Sequence, residues 1–156
     1  MVKKILIASL IAFLAIQFFR PEKNLTTAIS ENDITNRYYV PSEVKKILQT
    51  SCFDCHSNHT VYPWYDNVQP LAWFLDHHVK EGKGELNFSE FGAYTPKKAA
   101  HKLDEITEEI EHGDMPLSSY TLIHKDAVLN DAEIILVTHW ANHLKDSIIA
   151  ANQLKP

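Results

Sequence analysis

Two cysteines and a histidine stand in the order Cys52-Phe53-Asp54-Cys55-His56, and the chain has no other cysteine. Thiols two residues apart, followed at once by an imidazole, suit covalent attachment of haem: the thiols reach the two vinyl groups, and the histidine turns under the ring to bind iron. The same residues admit other chemistry. A dithiol redox pair also uses C-x-x-C, but normally at a strand-to-helix junction inside a βαβ pattern, and none surrounds this site. A zinc site would need further ligands from scattered histidines or carboxylates. A disulfide within so short a loop is strained and stabilises little. The expectation is therefore one covalent haem c and its iron, with a redox dithiol or a metal as the alternatives.

A haem held by one histidine needs a second axial group or an open face. Of the two methionines one is Met1, so Met115 is the remaining thioether. It lies in Gly113-Asp114-Met115-Pro116, where the proline favours an extended Met115 and a turn can hold a soft sulfur in place. The other fate for such a residue is to fill a gap in the core. Among the nine histidines, His124 is the alternative distal ligand, since it follows Met115 in the same loop region. His59 is too close to His56 to reach the opposite face. His78 shares a helical face with Leu71, Phe74 and Leu75 and is expected as a hydrogen-bonded core residue, while His101, His112, His139 and His143 fall on helices.

The elements that must position these groups read as helices. After Pro41-Ser42, Val44, Ile47, Leu48 and Cys52 recur at helical spacing and deliver the cysteines. A second helix is expected from Pro70 to about Glu81, ended by Gly82 and Gly84. A third begins near Pro96, with Leu103, Ile106 and Ile110 on one face and Gly113 as its cap. The last starts at a capping pair, Asn130 and Glu133, and carries Ile134, Val137, Trp140 and Leu144. No strand pattern or internal repeat is visible. Tyr62, Trp64 and Tyr65, in the insertion between His59 and Pro70, are expected to pack against the haem.

The motifs Cys52-Phe53-Asp54-Cys55-His56-Ser57-Asn58, Tyr62-Pro63-Trp64-Tyr65, Glu81-Gly82-Lys83 with Leu86-Asn87-Phe88-Ser89, and Met115-Pro116-Leu117 with Tyr120 and His124 occur in that order. Over residues 41–145 the chain thereby resembles the small haem-binding domain proteins of the cytochrome c type found in bacterial envelopes. The resemblance implies a covalent haem and an all-α, cytochrome-like fold. The order itself, haem motif at the end of a first helix, methionine in a later loop, then a terminal amphipathic helix, is that of a class I cytochrome c.

Lys3 and Lys4 precede an apolar run from Ile5 to Phe19, closed by Arg20-Pro21. No small-residue cleavage pattern follows, so residues 1–20 are expected to be a signal anchor or transmembrane segment. Secretion to the periplasm after cleavage is the alternative. Residues 21–40 are expected as a tether, 41–145 as the haem domain and 146–156 as a C-terminal tail. The expected location is the cytoplasmic membrane of a bacterium, with the domain facing the periplasm.

A net charge of -5 and the lack of a basic patch exclude nucleic acid as a partner and suit a basic or neutral redox protein. No phosphate loop, Ser-His-Asp order or paired-carboxylate motif appears, and no small-molecule substrate is identified. The expected function is one-electron transfer with His56 and Met115 on iron, rather than enzymatic. The alternative is a haem sensor or peroxidase-like enzyme with a labile distal ligand.

Overall fold

The computed structural model describes residues 1–153, and among them it is all-helical with one isolated antiparallel bridge, Leu25 to His59. Helix α1 (Val2–Ile16) is followed by a single turn, α2 (Ile34–Arg37), then α3 (Ser42–Ser51) and α4 (Phe53–His56). Helices α5 (Leu71–Glu85), α6 (Pro96–His112), α7 (Ser118–Thr121) and α8 (Asp131–Asn152) complete the chain, with tight helical turns at Trp64–Asn67, Phe88–Ala93 and Lys125–Ala127.

The core forms where apolar stripes meet. Val44 and Leu48 of α3 are fully buried against Leu103 of α6 and Val137 and Ala141 of α8. Phe88 and Phe91 plug the same core from the turn at Phe88–Ala93. Helices α6 and α8 are delimited by specific caps. Thr95 Oγ1 accepts from the Lys98 amide, and Gly113 closes α6 at φ 78°, a left-handed conformation that costs glycine little. Asn130 and Glu133 form a reciprocal capping box at the start of α8.

Four expectations change. Helix α5 does not end at Gly82 and Gly84 but runs through both to Glu85, because packing against the haem-motif turn outweighs the roughly 1 kcal/mol per glycine of propensity. The supposed tail is helical: α8 continues to Asn152 and buries Ile148; residues 154–156 lie outside the described residues.

The segment 21–40 is not a loose tether. Ile34 is fully buried, Asp33 caps α2 through the Thr35 amide, and Asn24 donates to the Ser57 carbonyl and to Thr60 Oγ1, each at 2.9 Å. Polar side chains with specific backbone partners fix it, rather than an apolar stripe.

The N-terminal helix spans 15 residues, about 22 Å at the helical rise, against a hydrocarbon core of about 30 Å. No described helix is long and apolar enough to cross a membrane. Helix α1 buries none of its residues, yet its end is clasped to the domain. Gln17 exchanges two hydrogen bonds with the backbone of Gln69, at 3.2 and 2.9 Å. The Phe19 carbonyl accepts from Gln69 Nε2 at 3.0 Å and from Trp73 Nε1 at 2.7 Å.

Candidate functional site

Cys52 terminates α3, its amide donating to Leu48, and α4 then turns once so that the Cys55 and His56 amides both return to the Cys52 carbonyl. The two thiols and the imidazole therefore sit on one compact turn. The cysteines are not joined to each other. Burial pushes the Cys52 thiol up to about 12 and the Cys55 thiol up to about 11, with the Cys55 charge adding to the first and that of Asp54 to the second. A pair built for thiol–disulfide exchange needs the opposite, a lowered thiol pKa.

His56 is oriented from behind. Its Nδ1 lies 3.1 Å from the Leu86 carbonyl, so with Nδ1 protonated and donating, the Nε2 lone pair is left for a metal. Burial lowers the imidazole pKa, partly offset by hydrogen bonds to the Leu86 and Gly82 carbonyls, and favours the neutral, ligating form. The approach of α5 is set by Gly82: a Cβ there would come within 2.7 Å of the Cys55 carbonyl oxygen. Beneath the turn, Asn58 donates to Glu90 at 2.8 Å and accepts from Asn87 at 2.9 Å. Ser89 Oγ accepts from the Asn58 amide, and Lys83 donates to Asn24 at 2.7 Å. The polar motif residues after His56 and around Leu86 thus form one brace for the turn.

Between this turn and the loop after α6 lies a cavity of about 480 Å³. Cys52, Cys55 and His56 line one part; Met115, Pro116, Leu117 and Tyr120 line another, with Gly82, Ile110 and Leu129 between. A neighbouring cavity of about 290 Å³ shares Cys52, His56, Ile110 and Met115 and adds Leu86, Phe88 and Lys102. The main cavity falls within the roughly 300–1,000 Å³ typical of cofactor sites. Two thiols, an imidazole with one nitrogen pinned and a thioether are a donor set suited to iron in a porphyrin. The residues present fit that group.

The loop carrying Met115 is tied to the haem motif through Asp54. That carboxylate accepts from the Val61 amide at 2.9 Å and from the Tyr120 hydroxyl at 2.8 Å. Burial and the adjacent Asp54 carboxylate hold the Tyr120 phenol far above its ordinary pKa, so it stays a donor.

Cys52, Cys55, His56 and Met115 thus line one cavity, and His124 does not. Its Nε2 is 3.0 Å from Tyr65 Oη and its ring stacks on Tyr120 at 4.3 Å. It lines a smaller cavity of about 120 Å³ that shares Asp54, Cys55 and Tyr120 with the main one. The aromatic insertion departs from expectation too: Tyr65 joins His124, Tyr62 accepts from the Asn24 amide, and Trp64 is 80% exposed.

Two residues escaped sequence reasoning. His78 is half-buried, not in the core; it lines both the main and the smaller cavity, with Nδ1 2.8 Å from the Phe74 carbonyl. Its spacing from Gly82 and Glu85 along α5 was the available signal. Lys102, the sole lysine or arginine lining either of the two larger cavities among the described residues, gives no such signal; it bridges Glu105 at 2.6 Å and Glu85 at 3.5 Å.

Compared with known proteins, residues 11–143 match a family model described as a haem-binding domain. No curated protein and no solved structure matches the chain.

Proposed function

The chain belongs to the haem-binding domain family, and from that premise we propose that it carries one haem c, attached through Cys52 and Cys55, as a membrane-associated one-electron carrier. The observation that carries this reading is the convergence of Cys52, Cys55, His56 and Met115 on one cavity. Bound haem would supply an iron centre able to take and return one electron. The chain's own residues supply the rest. Cys52 and Cys55 would hold the group through thioether bonds, and the Leu86 carbonyl orients His56 so that Nε2 would be free to bind the iron. Met115, on the loop fastened by the Tyr120–Asp54 bond, would supply a thioether to the iron, and a soft sulfur there would favour the reduced state. Ile110, Leu117 and Leu129 exclude water, which limits reorganisation when charge changes.

Glu81 and Glu85 border the cavity and, with the net charge of -5, favour a basic or neutral redox protein as partner. Lys3, Lys4 and the apolar run support an envelope location, with the domain on the periplasmic side of a bacterial cytoplasmic membrane. The second reading, a sensor or peroxidase-like enzyme, draws on His78 and Tyr120, polar groups beside the cavity where a labile distal ligand would leave iron open.

Replacing Cys52 and Cys55 with alanine decides the attachment. The wild-type protein should retain haem through extraction with acidic organic solvent, and the double variant should lose it. Covalent haem in the double variant would overturn the assignment.

A further inference from the structure

From Ile5 to Ile16 helix α1 is apolar around its circumference but for Ser9, and the helix buries no residue. A helix of that kind needs an apolar surround on every side, which a single stripe of protein contact does not supply. Where it joins the domain the apolar surface continues. Phe18 is 87% exposed, and Phe19 binds Trp73 through its carbonyl. Val61, Leu71, Phe74 and Ile123 are all exposed and line one small cavity whose only carboxylate is Asp54. Trp64, 80% exposed, packs edge-on against Tyr65 of that cavity at 5.9 Å. Contiguous apolar surface of this extent on a protein marks an interaction face.

We propose that this face, α1 together with the Val61–Trp73 surface and Ile123, is the contact with a lipid bilayer, and that the domain rests on the membrane with Trp64 and Trp73 at the headgroup level. This rests on the membrane association given under the proposed function. Lipid fits better than a second copy of the chain, because α1 has no polar face to turn outward from a helix pair. Tryptophans at the base of an apolar helix, beside Arg20 and Lys23, match the interfacial belt of membrane proteins. Helix α1 does not need to cross: the clasp of Gln17 and Phe19 on Gln69 and Trp73 brings the domain surface itself down to the lipid.

The three tryptophans test the orientation. Full-length protein carrying haem, with Trp64, Trp73 or Trp140 kept in turn and the other two replaced by phenylalanine, is mixed with dioleoylphosphatidylcholine vesicles containing lipid brominated near the headgroup. Fluorescence of Trp64 and Trp73 should be quenched, while Trp140, buried in the core, should be unaffected. In the otherwise wild-type chain, Trp64→Glu should weaken partitioning by about tenfold, the loss of one bulky apolar contact with lipid. Vesicle-dependent protection of the amides of residues 61–73 from hydrogen exchange reads the same contact without any variant. Co-flotation with vesicles but no quenching of Trp64 and no protection would overturn the docking face while leaving membrane association intact. A stable dimer covering Trp64 in the absence of lipid would likewise overturn the docking face, and failure to co-float would overturn both.

Discussion

The hydroxyl of Tyr120 donates to Asp54 Oδ2 at 2.8 Å, joining a residue five positions beyond Met115 to one of the two residues between the cysteines. The two sides of the cofactor cavity are thereby fastened to each other rather than only to the core. Tyr120→Phe keeps the ring stacked on His124 and removes the bond. It should lower stability by about 1–2 kcal/mol, the lower part of the range for a hydrogen bond to a charged group because both partners are half-exposed. Cyanide binding to the ferric protein should quicken by about fivefold as the loop loosens. An unchanged rate and unchanged thermal midpoint would mean that the loop is held elsewhere.

The two glycines of α5 should respond in opposite directions to the same substitution. Gly82→Ala forces the new methyl against the Cys55 backbone and should cost about 1–3 kcal/mol, as overpacking does, with a lower ratio of haem to polypeptide. Gly84→Ala meets nothing within 4 Å and should stabilise by about 0.5–1 kcal/mol. Urea unfolding of both variants checks the pair.

That contrast also shows what the sequence could reveal. The haem motif, the faces of α3 and α6, the Gly113 cap and the Asn130–Glu133 box are local signals, and each was legible. Gly82 was legible only as a helix breaker, because its partner, the Cys55 carbonyl, is distant in sequence. Asn24, Gln17 and Gln69 build their attachments from single side chains onto irregular backbone, which leaves no periodicity to detect. His78 looked like a core residue because its neighbours on α5, Leu71 and Phe74, are apolar, but both are exposed in the structure.

Met115 and His124 make a second opposed pair. If Met115 is the distal ligand, Met115→Ala should lower the reduction potential and admit carbon monoxide and cyanide rapidly. His124→Ala should leave the optical spectrum nearly unchanged and cost about 0.5–1.5 kcal/mol from the lost bond to Tyr65. A spectrum that changes only in the His124 variant would reverse the assignment. A wild-type ferric protein already high-spin would favour the sensor or peroxidase-like reading.

Gln17→Ala should leave the Gln69 amide and carbonyl without partners in a position only 1% exposed. The expected loss is about 1–3 kcal/mol for the buried groups left unsatisfied, together with faster proteolysis between Phe18 and Leu25. Haem spectra should not change, since none of these residues borders the cofactor cavity.

The clasp at Gln69 has a kinetic meaning. A free cord the length of residues 21–40 would let its cargo wander over about 25 Å, sweeping for encounters on its own account. Here the cord is spliced into the body: Asn24 is bonded to the turn after His56, and Gln17 to the start of α5. The cavity therefore keeps one height and one tilt relative to α1, and, if the protein carries electrons as proposed, a redox partner must come to it in a matching pose. Under that reading the molecule would work as a fixed station, with traffic governed by the partner's diffusion.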